Sequence, residues 1–261
     1  MIDVKVGIPR EVKNNEFRVA ITPAGVLELV RNGHQVFVEK GAGLGSSITD
    51  AEYVGAGAAI LDTADDVWAT ADLLLKVKEP IAEEYHRLRK GQTLFTYLHL
   101  AASRECTDAL LQSGTTAIAY ETVELANRAL PLLAPMSEVA GRLAPQVGAY
   151  HLMRSAGGRG VLPGGVPGTH AGKAVVIGGG VSGWNAAQIA VGMGFHVTLL
   201  DRDINKLREA DKVFGTKVQT VVSNAYELEK AVVEADLVIG AVLIPGAKAP
   251  PSWSPTSSSP R

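Results

Sequence analysis

The stretch Ala174-Val175-Val176-Ile177-Gly178-Gly179-Gly180-Val181-Ser182-Gly183 decides the fold. An apolar run of strand length leads straight into G-x-G-x-x-G, and a helical segment, Ser182 to Val191, follows. Glycine-rich chains produce the six-residue pattern by chance, so its weight comes from these flanks. A strand before and a helix after put unpaired backbone N–H groups at a helix N-terminus, where a pyrophosphate binds. Gly178 permits the tight turn, Gly180 lets the phosphates approach, and Gly183 lets the helix pack close to the sheet. The next strand, His196 to Leu200, ends at Asp201, 23 residues after Gly178. An acid there accepts hydrogen bonds from the adenosine ribose and repels a 2′-phosphate. The stretch therefore predicts a dinucleotide site that prefers NAD to NADP. The bland alternative is a structural glycine turn beside a surface aspartate.

Outward from this stretch the same alternation continues. A helix starts at Ile204, a strand covers Val218 to Val222, a helix starts at Ala225, and a strand covers Leu237 to Ala241. In the first half, Val4 to Ile8 reads as a strand, Thr22-Pro23 opens a helix that Asn32-Gly33 closes, and Gln35 to Glu39 is the next strand. A glycine loop, Gly41 to Gly45, follows, and Thr49-Asp50-Ala51-Glu52 has capping-box spacing. Leu73 to Val77, Thr93 to Leu98 and Thr115 to Ala119 are later strands, with polar helical segments between them. Strands separated by helices pair in parallel through right-handed crossovers. The fold class is α/β, two Rossmann-like domains with mostly parallel sheets. Residues 1–136 form the first domain, 137–155 a connecting helix, and 156–250 the dinucleotide-binding domain. Pro145 inside the connecting helix predicts a bend or an early interruption. The tail 251–261 is a Ser/Pro tract without periodicity and is expected to be disordered.

Composition narrows the function. Among 261 residues, 25 Lys+Arg stand against 27 Asp+Glu, so no basic field draws in nucleic acid or an anionic membrane. The longest apolar run, Leu237 to Ile244, is far short of the ~18 residues of a spanning helix. The first residues lack the charged-then-apolar design of a signal peptide. A single cysteine, Cys106, excludes an internal disulfide and a cysteine metal cluster, and reads as a small buried apolar residue. These features predict a soluble, cytoplasmic protein with no metal site.

Three polar residues follow strands of the first domain, where a catalytic site is placed: Arg18, Lys78 and His99. Arginine clamps a carboxylate bidentately, lysine polarises a carbonyl or holds an anion, and histidine moves a proton near neutral pH. Arg18 and Lys78 also fit surface charges, and a lone histidine in an apolar stretch fits a satisfied core residue. Spacing alone names no reaction.

Longer motifs carry a resemblance. Val6-Gly7-Ile8-Pro9-Arg10-Glu11, Asn14 through Pro23, Gly41-Ala42-Gly43, Leu75 through Pro80, Leu98-His99-Leu100-Ala101 and Ala134 through Gly141 resemble the bacterial alanine dehydrogenases of the alanine dehydrogenase/transhydrogenase family. The resemblance runs from about residue 4 to Pro250. It implies an N-terminal substrate domain, an NAD-binding domain and a homohexamer. It also implies a reversible oxidative deamination of L-alanine, in which hydride passes to nicotinamide and water attacks the resulting iminium to give pyruvate and ammonia. By the same resemblance Arg18 and Lys78 hold the substrate, and His99, with Lys78, is catalytic. The cofactor contacts fall on Ser137, Gly178, Gly180, Val181, Ser182, Gly183, Asp201, Lys206, Ser223, Val242 and Leu243. A transhydrogenase NAD-binding subunit is the nearest alternative, and His99 speaks against it. An inactive NAD-binding protein is another.

The resemblance stops at Pro250, although family members continue well beyond it. Codons for Pro251-Ser252-Trp253-Ser254, read two bases on, can encode Lys-Leu-Val, a typical family continuation. The sequence therefore predicts a frameshift near codon 250, an incomplete second domain, and a truncated chain that is catalytically defective and assembles poorly.

Overall fold

The computed structural model describes residues 3–242. The expectations for the tail, and for Leu243, fall outside the described residues. The chain divides between Leu132 and Leu133 into two compact units.

The first unit contains, in order, β1 (Lys5–Ile8), α1 (Pro23–Arg31), β2 (Gln35–Glu39), α2 (Asp50–Gly55), β3 (Ala59–Leu61), α3 (Ala64–Thr70), β4 (Leu73–Leu75), β5 (Thr93–Thr96), α4 (Arg104–Ser113) and β6 (Thr116–Ala119). Its sheet has the order β3-β2-β1-β4-β5-β6, and every pairing is parallel. The strands run outward from β1 to β3, and β4 then returns to the other side of β1. In sheets of this kind such a reversal, here between β1 and β4, marks the usual ligand position beyond the strands' C-terminal ends. Apolar side chains fill both faces, Val6, Ile8, Val38 and Tyr53 in one cluster and Trp68, Leu74, Leu94 and Cys106 in the other. Cys106 is fully buried, and burial pushes its thiol up. Both halves of the capping box at Thr49 and Glu52 form.

Two strands stop short of their apolar runs. The amides of Val77 and Lys78 turn to the Glu11 carboxylate, and those of Leu98 and His99 turn to Glu121. Past the strand ends the Lys76 and Tyr97 N–H groups still donate across to the Phe95 and Val77 carbonyls, but the amides that follow them turn to carboxylates. The three-residue edge strand β3 carries too short a pattern to be read from sequence.

The second unit contains α5 (Ala134–Leu152), β7 (Lys173–Ile177), α6 (Val181–Gly192), β8 (His196–Asp201), α7 (Ile204–Phe214), β9 (Val218–Val222), α8 (Ala225–Glu234) and β10 (Leu237–Gly240). Its four described strands lie in the order β10-β7-β8-β9, all parallel. A second reversal falls between β7 and β10, and the glycine stretch leaves β7 at that point.

The expected break at Pro145 does not occur. Helix α5 runs unbroken for 19 residues with Pro145 inside it, and it packs along α6 and β10. Pro145 lacks the N–H that would meet the Gly141 carbonyl, a loss of one bond. Contact with α6 outweighs it: a Cβ on Gly141 would lie 2.1 Å from the Ser182 carbonyl, so the two helices touch backbone to backbone. By this packing α5 is part of the second unit.

Candidate functional site

Arg18, Lys78 and His99 leave the first sheet from neighbouring strands. Arg18 lies in the loop after β1, Lys78 after β4 and His99 after β5. Glu11 ties the first two elements together. Its Oε1 accepts from the Val77 N–H at 2.6 Å, and its Oε2 accepts from the Lys78 N–H and from Lys76 Nζ, each at 3.3 Å. Lys76 is wholly buried, with Glu11 on one side and Glu84, at 2.8 Å, on the other. Burial pushes the Glu11 carboxyl above its ordinary value, even against the pull of Lys76 and the Val77 amide.

Arg18 is partly exposed and meets Glu16 edge to edge, Nε to Oε1 at 2.8 Å and Nη2 to Oε2 at 2.6 Å. The paired guanidinium holds the Glu16 carboxyl below its ordinary value, and Lys78 adds to the effect. The half-buried Lys78 makes no side-chain hydrogen bond among the described residues. His99 adopts a left-handed backbone, φ 48° and ψ 38°, which costs a residue with a Cβ on the order of 1 kcal/mol or more. Glu121 compensates by accepting both the Leu98 and His99 N–H groups. The His99 ring stacks near Tyr97, centroids 6.4 Å apart, and its buried Nε2 has no partner among the described residues. Tyr97 in turn lies within electrostatic reach of Arg18 and donates its phenol hydrogen to the Leu132 carbonyl. Direct contacts thus join Glu16 to Arg18 and Tyr97 to His99, while Lys78 acts on Glu16, and Arg18 on Tyr97, only through longer-range electrostatics. An imidazole nitrogen without a partner among the described residues, on the strand end next to those that carry two cations, suits a small anionic ligand with a transferable proton.

In the second unit, Gly178 turns the chain off β7 at φ 103°. Gly180 caps α6 without any side-chain hydrogen bond, and the space where its Cβ would stand is open. The first amides of α6, from Val181 and Ser182 onward, therefore remain available to an anion. Asp201 ends β8 and accepts from the Gly179 N–H at 2.6 Å and the Asp203 N–H at 2.8 Å, with Lys206 Nζ 3.7 Å away. Burial raises its carboxyl, but these amides and Lys206 outweigh burial and hold it below the ordinary value. The Ser223 N–H donates to the Asp201 carbonyl, and Val242 lies beside the glycine turn. Ser137 occupies the first turn of α5, half-buried. The uncapped helix start, the open face at Gly180 and the acid at the strand end fit a dinucleotide's pyrophosphate and ribose.

Sequence reasoning does not single out Glu11, Glu16, Lys76, Tyr97 or Glu121. Of these, Lys76 has a signal: it stands inside the apolar run Leu73 to Val77, one residue past β4 and in phase with the buried Leu74. The others lie in turns or at strand ends, and their partners come from distant segments.

A dinucleotide cradle on one parallel sheet, with a carboxylate-sized basic cluster and an available imidazole on another, defines an α/β oxidoreductase. Comparison with known proteins gives the family. The model of the alanine dehydrogenase/PNT N-terminal domain matches residues 7–140, and that of the C-terminal domain matches 144–254. The alanine dehydrogenase of Mycobacterium tuberculosis is 70% identical over 247 residues, which are 95% of this chain and 67% of that protein. A solved L-alanine dehydrogenase superposes with a TM-score of 0.89 at 53% identity, covering 94% of this chain and 68% of the other. A transhydrogenase from Sinorhizobium meliloti gives 0.80 at 31% identity, covering 94% and 72%. The chain belongs to the alanine dehydrogenase/PNT family, whose alanine dehydrogenase branch consists of nicotinamide-dependent oxidoreductases that act on the CH–NH2 group. It spans about two thirds of the length of these relatives, and the likeness is greater to the dehydrogenases than to the transhydrogenase. No described helix is long and apolar enough to cross a membrane.

Proposed function

We propose that this chain carries the substrate and cofactor sites of an NAD-dependent L-alanine dehydrogenase, which converts L-alanine reversibly to pyruvate and ammonia. The observation that carries the reading is the placement of Arg18, Lys78 and His99 just past the C-terminal ends of the neighbouring parallel strands β1, β4 and β5, with Arg18 held by Glu16. Bound NAD supplies the hydride acceptor. The chain's own residues do the rest. The guanidinium fork of Arg18 matches the substrate carboxylate, and the Lys78 ammonium neutralises the anion and polarises the pyruvate carbonyl. His99 Nε2, buried and without a partner among the described residues, takes or returns the proton at the substrate's polar atom. The α6 N-terminus, from Gly180 to Gly183, receives the pyrophosphate and Asp201 the ribose, while Ser137, Lys206, Ser223 and Val242 flank the cofactor.

Titration of the purified chain with NAD and with pyruvate tests the reading, beside an NADH-linked assay with pyruvate and ammonium. Binding of neither ligand overturns it. Lys78→Ala removes pyruvate binding and leaves NAD affinity within about twofold, because Lys78 belongs to the first unit's cluster. Asp201→Ala weakens NAD about tenfold or more, each lost hydrogen bond to the ribose being worth about 1 kcal/mol. It also improves NADP relative to NAD, since the carboxylate no longer repels a 2′-phosphate. Calorimetry with both cofactors reads this, and unchanged NAD affinity removes Asp201 from the site.

The same reading includes a cytoplasmic location, and the family's homohexamer is the assembly to test against the poor assembly expected from the sequence. Val139, Leu143, Val147 and Tyr150 recur at helical spacing and are exposed along α5, an apolar stripe suited to burial against another surface. Sedimentation measures the assembly.

A further inference from the structure

We propose that Glu16 is a positioning residue that holds Arg18 in the one orientation able to take a substrate carboxylate. The proposal rests on the reading of Arg18 as the carboxylate clamp and adds what presets it. An arginine side chain has two bidentate edges, one formed by Nε with Nη2 and one by Nη1 with Nη2. Glu16 occupies the first edge, at 2.8 and 2.6 Å, and accepts the Arg18 backbone N–H at 2.9 Å as well. The second edge is left for a ligand. The Glu16 side chain is only 7% exposed, whereas that of Arg18 is 49% exposed, so the acid is the fixed partner and the base the presented one. The intervening Phe17 is anchored in turn. Its carbonyl accepts from Ser46 Oγ at 3.1 Å, and a Cβ on Gly45 would stand 2.4 Å from the same oxygen. The glycine loop after β2 is thus the floor on which the Glu16–Arg18 pair rests.

Without Glu16 the arginine has several rotatable bonds and no second partner, and a ligand must order it on binding. Pre-setting the fork removes that cost, and it also cancels one positive charge, which leaves Lys78 as the uncompensated cation of the cluster. Affinity for a small carboxylate is therefore set by geometry at Arg18 and by net charge at Lys78.

The test uses the whole chain and three variants, Glu16→Ala, Glu16→Gln and Glu16→Asp, with pyruvate and NAD as probes in calorimetry. Nitrogen-15 NMR follows the Arg18 Nε–H signal. Expected results are a resolved, slowly exchanging Nε–H in the parent chain and its loss in Glu16→Ala. That variant binds pyruvate at least tenfold more weakly and NAD as before, at an unchanged melting temperature. Glu16→Asp, which keeps the charge, recovers part of the affinity, and Glu16→Gln, which presents an amide N–H to the guanidinium, recovers less. Pyruvate affinity within twofold of the parent in Glu16→Ala overturns the proposal. A parent chain that shows the Nε–H signal but binds no pyruvate overturns the substrate reading instead, and the proposal with it.

Discussion

Gly183→Ala abolishes NAD binding and destabilises the second unit. The added Cβ would lie 1.7 Å from the Gly178 carbonyl oxygen, 2.9 Å from its carbon and 3.2 Å from the Ala241 side chain. The first two are backbone atoms of the turn itself, so no rotamer change relieves the overlap. Helix α6 must lift from β7, and its first amides leave the pyrophosphate position. Overpacking typically costs about 1–3 kcal/mol, and a clash against backbone lies at the upper end or beyond. Gly180→Ala separates folding from binding, because no atom lies within 4 Å of its Cβ position. That variant keeps the parent's urea midpoint but puts a methyl group where phosphate oxygens approach, and NAD weakens by a factor of about ten or more. Urea denaturation and NAD titration of the two variants read both effects. Gly183→Ala binding NAD within threefold of the parent would show that the helix start is not the pyrophosphate site.

The contrast between these two glycines shows what sequence patterns carry. Regular alternation, the glycine stretch and Asp201 follow from local chemistry, and they place both sheets and the dinucleotide cradle. Asp201 shows where local reasoning falls short. Its spacing marks it as the ribose acid, but its two backbone partners, Gly179 and Asp203, appear only once the turn is folded. In the first unit the gap is wider. Glu16 and Arg18 are neighbours in the chain, yet nothing in the spacing says that one holds the other. Glu121 lies 22 residues from His99 and supports a left-handed turn that no periodicity announces. Pro145 misleads in the opposite direction, because close packing of α5 on α6 overrides the local cost of a proline. Local rules describe the elements, while long-range polar contacts decide which charged side chains are presented and which are consumed.

Lys76→Met unfolds the first unit more than any surface change. Lys76 is 0% exposed and is flanked by Glu11 and Glu84, whose side chains are each 3% exposed. Removing the cation leaves two buried carboxylates with no counter-charge between them, a loss of about 3–5 kcal/mol. The pH dependence follows from Glu11. Burial already lifts its carboxyl above the ordinary value while Lys76 pulls it down, so loss of Lys76 lifts it further. A carboxyl whose folded pKa exceeds its unfolded value binds more protons in the folded state between the two. Stability therefore falls as pH rises through that window and is recovered as pH drops below it. The deficit of Lys76→Met should be largest near pH 7 and shrink toward pH 5. Adding Glu11→Gln and Glu84→Gln removes both stranded charges, and the amide oxygen introduced by Glu11→Gln can still accept from the Val77 N–H. The triple variant should regain most of the loss. Urea denaturation of the parent, Lys76→Met and the triple variant at both pH values measures this, and a Lys76→Met deficit under about 1 kcal/mol at pH 7 would mean that water reaches the ion cluster. Pyruvate affinity provides a second reading. Glu11 ties the loop that carries Arg18 to the strand end that carries Lys78, so a protonated Glu11 weakens its hold on the Val77 and Lys78 amides. The folded fraction of Lys76→Met should bind pyruvate less tightly than the parent, because the two cations then lose their fixed separation.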